Sequence, residues 1–128
     1  MVFENAQARS DCYDLIDDEG QRIKQVAYEP NEKVPNCGTV IFQREDHTIG
    51  NLLRHQLLSQ DKVRFAAYQL PHPLLHEMYL RVETTEPAHT PLMAIDRAFD
   101  ALVTEVSQID QRFKDEVEKR KADRGDVL

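Results

Sequence analysis

The chain has 128 residues, a formal net charge of -7 and a pI near 5.2, and this length fits one domain. The acidic balance argues against a broad nucleic-acid-binding surface, because such affinity comes mainly from clustered Lys and Arg. No run approaches the roughly 20 apolar residues of a membrane span, and two cysteines outside any C-x-x-C pair suggest neither zinc nor redox chemistry. We therefore expect a soluble intracellular protein without a metal, a cofactor, a membrane contact or direct nucleic-acid contact.

The first forty residues carry weak structural signals. We expect a flexible end over residues 1–10 and a short strand running into an acidic turn over Asp14–Gly20. The stretch RIKQVAYE that follows alternates weakly, and two prolines interrupt the pattern after it. The β-branched and aromatic stretch Gly38–Gln43 favours a strand. One or two short edge strands, a loop and a stronger strand are the prediction for this part.

The stretch REDHTIGNLLRHQLL, residues 44–58, predicts a capped helix. Either Asp46 or Thr48 can accept a hydrogen bond from an orphan N–H group at the helix start. Apolar residues then recur at helical spacing and form a stripe that a core or a partner would cover. The stripe consists of Ile49, Leu52, Leu53, Leu57 and Leu58.

The same stretch also allows a catalytic interpretation. His47 could act as a general base polarised by Glu45 or Asp46, with Thr48 as the nucleophile. Adjacent residues at a strand-to-helix junction cannot easily converge on one reacting atom, and no Gly-rich oxyanion loop accompanies them. The capped helix is therefore favoured. Gly50 costs about 1 kcal/mol relative to alanine inside a helix, which indicates either a close backbone approach or a tolerated glycine.

Two further strands are predicted after this helix, over Lys62–Leu70 and His76–Thr85. In the second strand Met78, Leu80 and Val82 alternate with polar residues, as a half-buried strand requires. One face of this strand should lie against a core.

The segment between these strands is predicted to be a loop, because Pro71 and Pro73 cannot donate ladder hydrogen bonds. His72 and His76 are four residues apart, which would suit a metal site on a helix. The prolines exclude that helix, so solvated or hydrogen-bonded loop histidines are the better interpretation.

A long C-terminal helix is the most informative prediction. Thr90 and Pro91 form a start signal, and the pattern continues to about Asp123, with Gly125 after it. The apolar residues follow the alternating spacing of three and four that defines a heptad seam. The seam consists of Leu92, Ile95, Phe99, Leu102, Val106, Ile109 and Phe113.

The predicted helix is too long for its own domain. It would measure about 50 Å at 1.5 Å per residue, whereas compact-domain scaling gives a globule about 36 Å across. Val106, Ile109 and Phe113 are therefore expected to need a partner, and a contiguous apolar strip of this kind usually marks an interface. The alternative is a helix that bends over the sheet, with the whole seam in the core.

The element order β, α, β, β, α predicts an α+β fold, a mainly antiparallel sheet with two helices on one face. We expect a single domain over residues 1–120 and a flexible tail over residues 121–128. From the residues alone this is an interaction module that pairs through helices, either with itself as a homodimeric adaptor or with another protein.

Several motifs between Pro35 and Lys119 resemble the small alpha-like subunits of nuclear RNA polymerases. They are EDHTIGN, the helix ending QLL, PHPL and LRVETT, in the order that this family shows. The helix TIGNLLRHQLL also resembles the TLGNALRRILL helix of bacterial alpha subunits, and archaeal subunit L is a further relative. Two positions depart from these patterns: Ala67 stands where relatives usually have glycine, and His55 replaces the second arginine of the bacterial pair.

The resemblance implies an alpha-type dimerisation domain that has no active site of its own. Its partner would be the larger alpha-like subunit, the third of the polymerase, and the heterodimer would be a nuclear platform on which the large catalytic subunits assemble. RHQLLSQDKVRFAAY and PHPLLHEMYL resemble the polymerase II members of the family more than those shared by polymerases I and III. Carried over to this chain, the partner-binding residues would be Ile49, Leu52, Leu53, Leu57, Leu102, Val106, Ile109 and Phe113, with Arg54 as a polar contact to a large subunit.

Overall fold

The computed structural model describes residues 14–125, so the expectations for residues 1–10 and 126–128 lie outside the described residues. Within this range, six elements follow one another in the order ββαββα. They are β1 (Val26–Pro30), β2 (Cys37–Gln43), α1 (His47–Leu58), β3 (Val63–Gln69), β4 (Glu77–Thr84) and α2 (Pro91–Asp123). The helix α2 thus includes residues 121–123, which we had assigned to the tail.

The segment predicted as a strand over Asp14–Gly20 is mostly a turn. Only Ile16 and Arg22 form an isolated antiparallel bridge. The Asp17 carboxylate accepts two backbone N–H groups of the turn, and Gly20 has a positive φ of 80°, which glycine adopts without strain. The acidic turn is therefore confirmed, whereas the strand is reduced to a single residue pair.

The four strands form one antiparallel sheet in the order β1-β2-β4-β3. In β4 the side chains of Met78, Leu80 and Val82 are fully buried, while Arg81 between them is exposed. The predicted period-two alternation is therefore confirmed. The buried side of the sheet packs against both helices, which confirms the α+β architecture.

Helix α1 begins as predicted and is capped by Asp46 rather than by Thr48. The Asp46 carboxylate accepts the Thr48 N–H at 2.9 Å, which satisfies one orphan donor of the first turn. A Cβ atom at Gly50 would lie 2.5 Å from both Met78 Sδ and Tyr68 Cδ2. The close-approach interpretation of this glycine is therefore correct.

Helix α2 also has the predicted ends. The Thr90 hydroxyl accepts the Met93 N–H at 3.3 Å, and Pro91 occupies the first turn, where its missing N–H costs nothing. At the other end Arg124 is the C-cap residue, and Gly125 follows it with a φ of 63°. The helix therefore contains 33 residues.

The core lies between α1, the first three turns of α2 and one face of the sheet. Its buried members are Val40, Phe42, Leu53, Leu57, Val63, Ala66, Met78, Leu80, Val82, Ala94, Ile95 and Ala98. The contributions of α2 are mostly alanines, which allow this helix to approach α1 closely.

Candidate protein-interaction surface

Helix α2 has two parts with different surroundings. Pro91, Ala94, Ile95 and Ala98 are buried, and Leu102 is half-buried against the same core. Among residues 103–125, no side chain is buried. About 30 Å of helix, at 1.5 Å per residue, therefore continues beyond the last contact with the core.

The projecting part carries a row of exposed apolar side chains, which we call the distal stripe: Val103, Val106, Ile109 and Phe113. Their exposed fractions are 65%, 62%, 68% and 68%. The alternative in which the helix bends and buries the whole seam is therefore wrong. Fully exposing such a side chain forfeits about 1.5 to 3 kcal/mol relative to burial, so the stripe is suited to a protein contact.

Val103 was missed by the heptad pattern, which passes from Leu102 directly to Val106. The structure shows that Leu102 is half-buried against the core, whereas the next residue, Val103, is 65% exposed and lies beside the seam. The available signal was the spacing of three between Val103 and Val106, which places both on one side of a helix with 3.6 residues per turn.

The polar side of the projecting part is stabilised by contacts within the helix. Lys114 pairs with Asp110 at 2.8 Å, and Lys119 pairs with Glu116 at 2.9 Å. The Glu116 carboxylate raises the pKa of Lys119. Exposed pairs of this kind contribute little to stability, so they do not replace a covered apolar face.

An apolar groove lies beside the packed part of α2. Because α1 lies over β3 and β4, the β1 and β2 side of the same sheet face remains partly open, and Val26 there is 44% exposed. The groove has a volume of about 430 Å³. It is lined by Gln25, Val26, Val40, Phe42, Glu45, Ile49, Leu92, Ile95, Asp96 and Phe99.

The groove and the distal stripe form one continuous surface. Phe99 packs edge-to-face on Phe42, with ring centroids 6.3 Å apart, and it still exposes 38% of its area. Val103 follows Phe99 one helical turn later. An apolar helix face that enters the groove could therefore continue along α2, which is how amphipathic helices bind one another.

The residues that we predicted on α1 separate into two groups. Ile49 lines the groove and Leu52 is 48% exposed, so both can reach a partner. Leu53 and Leu57 are 0% exposed. Their prediction as partner contacts is therefore corrected: they face the chain's own core, since α1 uses that side to cover β3 and β4.

Arg54 is held by its own domain. Its Nη2 atom donates to Asn51 Oδ1 at 2.7 Å, and its guanidinium carbon lies 5.9 Å from the Tyr68 ring centroid. Its Nε atom is buried and has no hydrogen-bond acceptor in the described part of the chain. The side chain is thus oriented on the domain surface with one donor still unused.

The catalytic interpretation of the α1 start finds no support in the geometry. Asp46 serves as the helix cap, and His47 Nδ1 lies 2.9 Å from the Tyr68 hydroxyl. His72, in the loop between β3 and β4, accepts the Leu74 N–H at its Nδ1 atom. Across residues 14–125, no three His, Cys, Asp or Glu side chains are grouped so that they could hold a metal ion.

Neither α1 nor α2, the helices in the described part of the chain, combines the length and apolar character that a membrane span needs. The projecting part of α2 instead has one apolar side, the distal stripe, and one charged side.

The chain matches a family model described as RNA polymerase Rpb3/Rpb11 dimerisation domain over residues 37–112. It is 41% identical to a probable DNA-directed RNA polymerase II subunit RPB11 of Caenorhabditis briggsae, over 90% of this chain and 89% of that one. It is also 41% identical to the DNA-directed RNA polymerase II subunit RPB11 of Schizosaccharomyces pombe, over 83% of this chain and 84% of that one.

A solved structure is similar as well. The crystal structure of DNA-directed RNA polymerase subunit L from Thermoplasma acidophilum superposes with a TM-score of 0.63. The match covers 78% of this chain and 97% of subunit L, at 24% sequence identity. At this identity the likeness concerns the fold.

Proposed function

Because the chain belongs to the family of RNA polymerase Rpb3/Rpb11 dimerisation domains, we propose that it is a non-catalytic assembly subunit of RNA polymerase II. In this proposal it pairs with the larger alpha-like subunit, the third of the polymerase, and the pair is the platform for the large catalytic subunits. The observation that carries the proposal is the distal stripe, which projects beyond the chain's own core.

The pairing surface combines the distal stripe with the apolar groove beside α2. The partner's helices would cover Val103, Val106, Ile109 and Phe113, and they would reach Ile49 and Leu52 on α1. Each of these side chains keeps part of its surface uncovered in the chain alone. Leu102 contributes at the boundary, where the helix leaves its own core.

A heterodimer accounts for the surface better than a homodimeric adaptor does. The matched family is described by the names of two different chains, Rpb3 and Rpb11. The chain also carries a net charge of -7, and like charges on two copies would oppose self-association. A stable dimer of the lone chain in sedimentation experiments would support the adaptor instead.

We favour the polymerase II subunit over the related subunit that polymerases I and III share. The two relatives described above carry polymerase II names at 41% identity. Nuclear localisation follows from this proposal, as does the absence of a bound cofactor and of direct nucleic-acid contact. Co-purification with the third subunit of polymerase II, rather than with its counterpart in polymerases I and III, is the expected result.

Arg54 remains our candidate for a polar contact to a large subunit. Its orientation supports this role, because contacts with Asn51 and Tyr68 already hold the guanidinium in place. A guanidinium that is already oriented loses less rotational freedom when it binds a carboxylate.

The double variant Val106→Glu plus Ile109→Glu tests the pairing surface. Burying two carboxylates in an apolar contact is costly, so we expect binding to the third subunit to be lost. The sheet should stay folded, since neither side chain is buried in the chain alone. Circular dichroism checks the fold, and co-purification from cells checks the pairing.

Gln108→Glu plus Gln111→Glu is the matched control. It adds the same charge to the same helix at two exposed positions outside the distal stripe, and it should pair normally. If the Val106 and Ile109 variant pairs as well as the control does, the proposed surface is wrong.

A further inference from the structure

The sheet face opposite the helices is uncovered in the described part of the chain. It is formed by the side chains that alternate with the buried ones, among them Thr39, Phe65, Ala67, Tyr79 and Arg81, and we call it the outer sheet face. The distal stripe and the apolar groove belong to the other side of the molecule. A partner on α2 would therefore leave the outer sheet face free.

A β-bulge directs a phenylalanine onto this face. Val63 pairs with Thr84, but Phe65 pairs with Glu83, so the register shifts by one residue at Arg64. Simple alternation from the buried Val63 would have turned Phe65 toward the core. The bulge turns it outward instead, where 45% of its area is exposed, and bulges commonly re-aim side chains next to functional sites.

Phe65 is one wall of an open trough of about 310 Å³ on the outer sheet face. Tyr79 and Arg81 form the other walls, and the small side chain of Ala67 forms part of the floor. The open face of an antiparallel sheet is normally polar. Aromatic and arginine side chains around a depression are instead typical of binding hot spots between proteins.

The charges on this face indicate what the occupant carries. Glu83, the register partner of Phe65, is already paired with Arg64. Arg81 is exposed and has no acidic partner among residues 14–125. A second copy of this chain stacked about a two-fold axis at the trough would bring Arg81 against Arg81, so a different polypeptide is the fitting occupant.

We propose that the outer sheet face is a second docking surface, for a polypeptide that inserts an apolar side chain between Phe65 and Tyr79 and sets a carboxylate against Arg81. This inference rests on the proposed function, in which the occupant is a further polymerase subunit that binds the preformed heterodimer. The chain then binds two proteins at once, one along α2 and one on the opposite side of the sheet.

Site-specific photocrosslinking in the assembled polymerase tests the two surfaces together. A photoreactive residue replaces Gln69, which is exposed beside the trough, or Val103 in the distal stripe. We expect Val103 to yield an adduct with the larger alpha-like subunit and Gln69 to yield one with a different polymerase subunit, each identified by mass spectrometry. If Gln69 gives no adduct, or one with the α2 partner only, the second docking surface is refuted.

The two proposals fail in distinguishable ways. An adduct of Val103 with any protein other than the larger alpha-like subunit contradicts the proposed function. A normal Val103 adduct beside a failing Gln69 adduct contradicts only the inference about the outer sheet face.

Substitutions on the face give a quantitative test. Arg81→Glu reverses the charge and Ala67→Leu fills the trough, and each should lower recovery of the further subunits by about tenfold or more, equivalent to about 1.4 kcal/mol. Recovery of the larger alpha-like subunit should not change.

Arg81→Lys keeps the charge and should retain most of the binding. Lys33→Glu, an exposed charge reversal in the β1–β2 loop, is the control; equal recovery with Arg81→Glu and with this control would overturn the proposal.

Discussion

Leu52 and Leu53 are neighbours in α1 and have opposite surroundings. Leu52 is 48% exposed, while Leu53 is 0% exposed beneath the helix. Both belong to one apolar stripe in the sequence. Such a stripe is about 100° wide or more on an α-helix, so its centre can face the core while its margin stays exposed. The margin is the part that a partner can reach.

Leu53→Ala and Leu52→Ala should therefore separate folding from pairing. Leu53→Ala leaves a cavity in a closed core and is expected to lower the free energy of unfolding by about 2 to 5 kcal/mol. Leu52→Ala should change it by less than about 0.5 kcal/mol but should weaken binding to the larger alpha-like subunit. Urea denaturation and a binding titration measure the two effects, and equal losses of stability would contradict the assignment.

His89 is a second residue whose role depends on its surroundings. It is only 3% exposed, in the loop before α2, and its Nε2 atom has no hydrogen-bond partner among residues 14–125. Burial lowers its pKa below 6.5, and the nearby cations Arg97 and Lys62 lower it further, while Glu86 acts in the opposite direction. The neutral ring is thus the form that the fold accommodates.

This shift predicts a loss of stability in mild acid. Above about pH 6.5 the ring is neutral in both the folded and the unfolded chain. As the pH falls below that value, the unfolded chain takes up the proton first, so the free energy of unfolding decreases. His89→Gln should lose less stability than the unsubstituted chain between about pH 7.5 and about pH 5.5. Urea midpoints at the two pH values check this, and parallel losses in both proteins would refute it.

At the scale of an element, α2 is one continuous helix with two sources of stability. Its first part is stabilised by packing against α1 and the sheet. The helical conformation of residues 103–123 depends instead on helix propensity and a few surface ion pairs. Isolated helical segments of this size are marginal in water, because most helical stability in proteins comes from a covered apolar face. The projecting part should therefore fray in the lone chain.

Hydrogen exchange should reveal this difference directly. In the lone chain, backbone amides of residues 104–123 are expected to exchange much faster than those of residues 95–102, since only the latter lie over a core. Addition of the larger alpha-like subunit should slow exchange in the projecting part. Strong protection of residues 104–123 in a monomeric chain would contradict the uncovered stripe.

At the scale of the whole molecule, the two proposed surfaces differ in chemistry. The surface along α2 is apolar and continuous, whereas the outer sheet face combines two aromatic rings with one unpaired guanidinium. Apolar contacts are insensitive to ionic screening, while exposed charge pairs weaken as the Debye length shortens. The two partners should therefore respond differently to salt.

Raising the salt concentration from about 0.1 M to about 0.5 M should leave the heterodimer intact and release the further subunit in part. Parallel titrations of both complexes by light scattering or gel filtration measure this. Salt-induced separation of the heterodimer itself would show that charge, rather than the distal stripe, holds the pair together.

Local chemistry in the sequence determined the elements and their ends. The Asp46 and Thr90 caps, the alternation in β4 and the helical period of α2 depend on residues within a few positions of one another, and each was predictable for that reason. The length of α2 against the size of the domain also predicted that Val106, Ile109 and Phe113 would be exposed. The family motifs added the class of partner.

Only the tertiary structure decided which surface each apolar residue serves. Leu53 and Leu57 are buried because α1 covers β3 and β4, and Leu102 is half-buried where the start of α2 packs on α1 and β4. No local spacing encodes that placement. The bulge at Arg64, which turns Phe65 outward, depends on the pairing of β3 with β4. A period in the sequence predicts that one face of an element is apolar. The packing of distant elements determines whether the chain itself or another protein covers that face.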